Sequence, residues 1–283
     1  MTATSPEPGL PTRHTAKKRV LAVRGPVAEH RDDTLVGEEP LEIRVAGPGQ
    51  APVAIAVTMR TPGSEAELAV GFLRTEGLIH DGEVEAVESG DPAELAQPDD
   101  TVIVRLRRPF DASAIAERHF IATASCGICG KATLDEIAVR CDPLPAGPVV
   151  TREVVIGMPA TLRAAQSLFE ATGGLHAAGL FDPDGRLLVL REDVGRHNAL
   201  DKLVGWAVLA GRTPLSGHVL LVSGRASLEI VQKAAVAGIP IVCAVSAPSG
   251  LAVEAAERFG QTLVGFLRGD GFNVYTGAER IAL

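Results

Sequence analysis

Two cysteines stand three residues apart in Ser125-Cys126-Gly127-Ile128-Cys129-Gly130-Lys131, in a chain of 283 residues that holds only four cysteines. Thiols at this spacing serve zinc sites, disulfide exchange and sulfur carriage. Gly127 and Gly130 leave room around the sulfurs and let the backbone turn N–H groups toward a thiolate. Leu134, Ile137 and Ala138 follow with helical spacing, so the pair falls just before a helix N-terminus with Lys131 alongside. Both features lower a thiol pKa and raise the thiolate fraction. A buried apolar pair is the structural alternative, and the flanking glycines speak against it. A zinc site needs two further ligands, which Cys141 and His119 could supply. A thioredoxin-like site does not fit, because no strand–helix–strand unit precedes this mid-chain motif.

A second set of residues with chemical potential lies in the C-terminal half. Four polar segments follow apolar, strand-like runs: Glu192-Asp193-Val194-Gly195-Arg196-His197-Asn198, Ser223-Gly224-Arg225-Ala226-Ser227, Ser246-Ala247-Pro248-Ser249-Gly250 and Arg268-Gly269-Asp270-Gly271. In an open α/β sheet such segments gather at one edge, where ligands bind. Small hydroxyl residues and glycines let backbone N–H groups approach phosphate, while Arg196, Arg225 and Arg268 supply charge. Each segment alone reads equally as ordinary capping; the four together favour a bulky phosphorylated ligand. No G-x-G-x-x-G fingerprint is present, which argues against a hydride-transfer dinucleotide. His197 opens a helix beside Arg196 and serves either anion binding or capping. Asp201 and Lys202 follow on the same helix as a local polar network. His176, after two glycines at a strand start, reads as buried and neutral.

The elements that must position these residues form two halves. Residues 1–18 are rich in Pro, Thr and Ser, end in a basic cluster, lack the apolar core of a signal peptide and read as a disordered tail. Over 19–122 a small α+β unit is expected, with strands at 19–24, 41–45, 53–59 and 102–106. Ser64 to Glu67 forms a capping box that opens a helix running to about Glu76, and a short helix covers 112–118. The cysteine loop and a proline-marked linker span 123–150. From 151 onward a helix begins at Pro159, Asp182-Pro183-Asp184-Gly185 turns a hairpin, and strands and helices then alternate, implying a largely parallel sheet. His30 and His80 sit in surface turns.

Composition limits the function classes. Hydrophobic residues make up 46% of the chain and the net charge is -8, so nonspecific binding to nucleic acid or to a membrane surface is not a global property. Apolar runs are too short and too broken to span a bilayer. Cysteine usage gives no disulfide framework and fits a reducing, cytoplasmic setting.

At this point the chain resembles the formate dehydrogenase accessory sulfurtransferase family, the FdhD proteins. The resemblance rests on Cys126-Gly127-Ile128-Cys129-Gly130, Gly173-Gly174-Leu175-His176, Glu192 through Lys202, Ser223 through Ser227 and Ser246 through Ser249, and extends through Val264-Gly265-Phe266 and Val274-Tyr275-Thr276. It implies an α/β protein with a C-terminal cytidine-deaminase-like three-layer fold over 151–283 and a homodimeric assembly. It further implies a sulfur carrier that takes persulfide sulfur from a cysteine desulfurase. The sulfur passes to the bis(molybdopterin guanine dinucleotide) molybdenum cofactor before insertion into formate dehydrogenase. Cys126 is the implied persulfide carrier, with Cys129 assisting. Phe266, Leu267, Arg268, Gly269, Asp270 and Gly271 match the family's cofactor-binding stretch, beside Ser223, Gly224, Arg225, Ser246, Arg196 and His197 from the strand-end segments. No metal is expected on the protein itself. The alternative is a zinc-dependent deaminase-like hydrolase, disfavoured because His176-Ala177-Ala178 lacks the glutamate of the deaminase motif and the cysteine pair precedes the histidine.

Overall fold

The structure, a computed structural model, describes residues 14–90, 100–112 and 144–283. Cys126, Cys129, Lys131, Cys141 and His119, with nearly all of the helix expected over 112–118, lie outside the described residues.

The chain opens with a hairpin of two ten-residue strands, β1 (Thr15–Arg24) and β2 (Val27–Val36), paired antiparallel around a turn where Gly25 takes φ 58°. Residues 15–18, assigned to the tail from composition, are thus the first four of β1. Ala16, Lys17 and Lys18 remain exposed, which is why the stretch reads as unstructured.

A four-stranded sheet follows, in the order β4-β3-β6-β5. It comprises β3 (Glu39–Ala46), β4 (Val53–Arg60), β5 (Val84–Ser89) and β6 (Thr101–Leu106). Alternation buries Leu41, Ile43 and Val45 on one face of β3. Helix α1 (Glu65–Thr75) covers that face with Leu68, Ala69 and Leu73. The expected capping box does not form. Ser64 sits at φ 60° with no side-chain cap bond. Glu65 instead accepts from Gly63 N at 2.6 Å, and Glu67 is drawn away to Arg191, 2.6 Å from Nη2.

The C-terminal half is a six-stranded sheet in the order β13-β12-β11-β10-β8-β9. Its strands are β8 (His176–Phe181), β9 (Leu187–Asp193), β10 (Val219–Val222), β11 (Ile241–Ala244), β12 (Thr262–Arg268) and β13 (Gly271–Thr276). Only β10, β11 and β12 run parallel; β8, β9 and β13 join through antiparallel pairings, so the sheet is mixed and not largely parallel. The reason lies in two tight hairpins. Gly185 at φ 83° and Asp182, which accepts from Arg186 N at 2.8 Å, turn β8 into β9. Gly269 at φ 60° turns β12 into β13, a strand the helix–strand alternation does not foretell.

Helices cover both sheet faces, giving three layers. Helices α4 (Arg196–Leu209), α5 (Leu228–Val236) and α6 (Gly250–Phe259) pack on Leu180, Leu220, Val222 and Val242. Helix α2 (Arg152–Ala165) packs Val155, Met158 and Leu162 on the other face, against Phe181, Leu221 and Val264. It begins seven residues before the expected Pro159, because Thr151 accepts from Val154 N and the buried stripe outweighs the proline inside the helix. The short helix α3 (Ser167–Thr172) follows; Glu192 caps it, accepting from Leu168 N and Phe169 N at 3.1 and 2.9 Å. Two small strands, β7 (Val150–Thr151) and β14 (Ile281–Ala282), pair at the rear, so the end of the expected linker packs into this half.

The halves join where α1 crosses α4. A Cβ on Gly71 would stand 1.7 Å from Asp201 O, and one on Gly205 1.8 Å from Glu67 O. Beside this crossing Lys233 Nζ lies 3.0 Å from both Asp201 carboxylate oxygens, 3.0 Å from Glu76 Oε1 and 2.9 Å from Thr75 Oγ1. Burial alone would lower the Lys233 pKa; Asp201 and Glu76 outweigh it and hold the ammonium form.

Two stability predictions follow from that junction. Gly205→Ala should lose about 3 kcal/mol or more in urea unfolding, because a methyl group meets rigid backbone and not a side chain. Lys233→Met should lose roughly 3–5 kcal/mol by stranding the Asp201 carboxylate. A Gly205→Ala protein within about 0.5 kcal/mol of the parent would mean that the helices do not cross at this glycine.

Candidate functional site

Because β8 runs antiparallel to both β9 and β10, strands β9 to β12 all end on the same sheet edge. The four polar segments therefore meet along one rim. Three of them lead into helices, and the fourth is the tip of the β12–β13 hairpin. Backbone bonds continue past the strands and fix the rim: Ser246 N donates to Gly224 O, Ser249 N to Ala226 O at 3.0 Å and Phe266 N to Ser246 O at 3.1 Å. Ser223 Oγ accepts from Ala177 N at 2.8 Å, so this hydroxyl ties the rim to β8. Ser249 caps α6 through Ala252 N.

The β9–α4 turn is the most ordered part of the rim. Asp193 is fully buried, and its Oδ1 accepts from Gly195 N at 2.8 Å and Asn198 Nδ2 at 3.0 Å. Its Oδ2 accepts from Thr61 N at 3.1 Å and lies 2.7 Å from Lys202 Nζ, which also donates to Thr61 O. Asp201 and Lys202 thus do not pair with each other as adjacent network members; they face opposite ways, to Lys233 and to Asp193. This arrangement gives no local sequence signal, since Thr61 and Lys233 are far along the chain.

With Asp193 neutralised by Lys202, Arg196 is left without a carboxylate among the described residues, and its buried Nε has no hydrogen-bond partner there. Arg225 is exposed and likewise in no ion pair among those residues. Arg268 is exposed and stacks over Phe266, 5.8 Å from the ring centroid. Phe266 takes φ 53° and is 36% exposed, while Gly269, Asp270 and Gly271 present backbone at the hairpin tip. Leu267 is different: its side chain is wholly in the core and offers a ligand only backbone. His197 is also committed, with Nε2 2.7 Å from Glu229 Oε2 and 3.3 Å from Ser227 Oγ.

A cleft of about 640 Å³ opens between α2–α3 and the rim, lined in part by Leu162, Gln166, Phe169, His176, Ser223 and Val245. His176 is the one histidine lining it among the described residues. Burial, then the nearby Arg196 and His197, hold its pKa below the ordinary value despite Asp193, so it is neutral at pH 7.

Of the sequence-derived thiol site, Cys126 and Cys129 lie outside the described residues. Cys243, in the middle of β11, is fully buried and its pKa is pushed up to about 12 by burial. The described chain resumes at Leu144, whose N–H bonds Phe259 O at the far end of α6. That helix starts on the rim and has ten residues, so Leu144 is anchored about 15 Å away, toward the opposite sheet edge. Among the described residues no group of three or more His, Cys, Asp and Glu is placed to hold a metal ion, and no helix is long and apolar enough to cross a membrane.

This geometry can be set beside known proteins. The "Sulfur carrier protein FdhD" of Nocardia farcinica is 51% identical over 276 residues, covering 95% of each chain. The protein of that name from Streptomyces coelicolor is 48% identical over 278 residues, covering 96% of this chain and 97% of the relative. The one from Sulfurisphaera tokodaii is 42% identical over 263 residues, or 93% and 97%. In structure the chain matches a crystal structure described as a candidate formate dehydrogenase accessory protein from Desulfotalea psychrophila, with a TM-score of 0.72 and 25% identity over 95% of this chain and 99% of that one. The sequence profile of the FdhD/NarQ family matches residues 36–282, and with it the whole rim, so the chain belongs to that family.

Proposed function

We propose that this chain carries persulfide sulfur on Cys126, received from a cysteine desulfurase, and delivers it to bis(molybdopterin guanine dinucleotide) molybdenum cofactor seated at the rim. The cofactor would then enter formate dehydrogenase. The observation that carries this reading is the rim: in a protein of net charge -8, Arg196, Arg225 and Arg268 all lie along it with no carboxylate partner among the described residues. Unpaired cations beside glycine-rich backbone suit a polyphosphate ligand, and a dinucleotide cofactor brings several phosphates. The orphaned Arg196 Nε and the open backbone at Gly269 to Gly271 fit such a group. The names of the relatives support sulfur carriage, and the description of the structural neighbour supports the formate dehydrogenase connection.

The chemistry at the thiol needs no oxidant. A Cys126 thiolate attacks the terminal sulfur of a persulfide on the desulfurase, the S–S bond breaks, and the desulfurase thiolate leaves. The sulfur then sits on Cys126 as a persulfide, itself a nucleophilic donor. Cys129, three residues along, is the assisting thiol. Cys243 cannot take this part, because with a pKa of about 12 only about one molecule in 10⁵ is thiolate at pH 7. The protein is proposed to act as a cytoplasmic homodimer.

Three measurements test the reading. Incubation with a cysteine desulfurase and cysteine should add roughly 32 Da to the intact chain, reversibly under reductant, and Cys126→Ala should abolish both the adduct and activation of formate dehydrogenase. A Cys126→Ala protein that takes up sulfur and activates normally overturns the assignment. In native thiol labelling at pH 8, Cys243 should stay unmodified until the protein is unfolded; rapid labelling would show that β11 is not buried as described. Arg225→Ala and Arg268→Ala should each weaken GDP binding by about 1.5–3 kcal/mol in calorimetry, and unchanged affinity in both would move the ligand elsewhere.

A further inference from the structure

The rim contains one niche that the cofactor reading does not explain. A side chain at Gly224 would meet His176 Nδ1 at 3.3 Å on one side and Arg196 Cδ at 3.9 Å on the other. The absence of a Cβ therefore lets both side chains stand against the Gly224 backbone, where the cleft opens past an imidazole nitrogen, beside an arginine whose Nε has no partner among the described residues. His176 takes part in no hydrogen bond or ion pair among the described residues, so its ring nitrogens are uncommitted on a half-buried side chain. Ser223, next in the chain to Gly224, lines the same cleft as His176.

We propose that His176 and Arg196 form a proton-linked anion site over Gly224, in which a tetrahedral oxyanion such as a phosphate group binds Arg196 and draws a proton from solvent onto His176. This rests on the reading that a phosphorylated ligand occupies the rim, and it assigns His176 a part in holding it. Before binding, the neighbourhood is set against a charged imidazole. On α4, Arg196 and His197 repel a proton; on β9, Asp193 attracts one, but its carboxylate is matched by Lys202. From the α2–α3 side the polar groups at the cleft are Gln166 and Arg163, the latter engaged with Glu170 at 3.2 Å. On α5, Glu229 is taken by His197. Each of these carboxylates thus already has another partner among the described residues. An oxyanion in the niche reverses the balance: it offsets the Arg196 charge and accepts a hydrogen bond from protonated Nδ1. The linkage sign follows. Protonation favours the bound state, so affinity should fall as pH rises between the free and the bound pKa of His176, by up to about tenfold per pH unit for one proton.

The experiment uses the full chain and two probes: sulfate, which stays a dianion across pH 6–8, and GDP. His176 is followed through its imidazole C–H resonances as pH is varied. Sulfate should raise the His176 pKa in the parent protein and leave it unmoved in Arg196→Met, and GDP binding should take up close to one proton in buffers of differing ionisation enthalpy. In His176→Gln the proton uptake should vanish and affinity near pH 6 should drop severalfold, while affinity near pH 8 changes little. A merely structural role for His176 would lower affinity equally at both pH values. GDP binding with the same proton uptake in His176→Gln as in the parent overturns the inference and leaves the cofactor reading standing. Failure of GDP to bind the parent protein at all overturns both. A shift of His176 by sulfate without one by GDP keeps the anion site and removes it from the path of the cofactor.

Discussion

The crossing of α1 over α4 at Gly71 and Gly205 is the contact on which the rest of the architecture depends. Backbone meets backbone there with no side chain between, so the two helices come as close as helices can. That closeness brings the N-terminal sheet against the β9–α4 turn, and Thr61, at the end of β4, reaches Asp193 as a direct consequence. A larger residue at either glycine would open the junction and withdraw Thr61 from the rim. The N-terminal half therefore contributes to the site without touching any ligand: it supplies one wall of the turn that presents Arg196.

The junction also settles the charge of the rim. Two buried aspartates, Asp193 and Asp201, are each matched from inside the protein by a lysine, Lys202 and Lys233. A buried ion pair adds little net stability, since desolvation offsets most of the Coulomb gain. Its effect here is one of specificity. With the interior carboxylates already satisfied, Arg196 has no reason to fold inward onto Asp193, which is only three residues away. His197 is held separately by Glu229, 2.7 Å from its Nε2. What remains along the edge is a set of arginines whose charge is available to a ligand, in a chain that is acidic as a whole.

Much of this was legible in the sequence. Period-two burial in β3, the largely apolar and buried β6 and the apolar stripe of α1 follow directly from residue spacing. The shared edge for the strand-end segments is expected from the alternation of strands and helices after β9, and the antiparallel β8 completes it by aligning β9 with β10. Three features depart from what residue spacing first suggests. The cap expected of Ser64 and Glu67 is lost because Arg191, more than a hundred residues later, outcompetes a backbone N–H for the Glu67 carboxylate. Pro159 looks like a helix start, yet the buried face of α2 begins at Val155 and sets the helix earlier. Leu267 lies inside a stretch that reads as ligand-binding, but strand alternation turns it into the core between the exposed Phe266 and Arg268. The last of these is recoverable from period two alone once β12 is extended to Arg268.

Where the described chain stops and resumes around the thiol segment bears on how the proposed sulfur carrier could serve both a donor and an acceptor. Leu144 is fixed near the far end of α6, about 15 Å from the rim, so the chain leaves the segment toward the opposite sheet edge. Leu144 is fifteen residue steps from Cys129, 144 − 129, and Cys126 is fourteen from Ala112, 126 − 112. A chain of that length can extend to roughly 50 Å. Either sheet edge is within that reach, so the tethers place no geometric bar on a thiol that meets a protein donor on one edge and a cofactor on the other. The rim, by contrast, is fixed by backbone hydrogen bonds from loop to loop. On the proposed function, the rim would set what is bound and in which orientation, while the length of chain on either side of Cys126 bounds what its sulfur could reach.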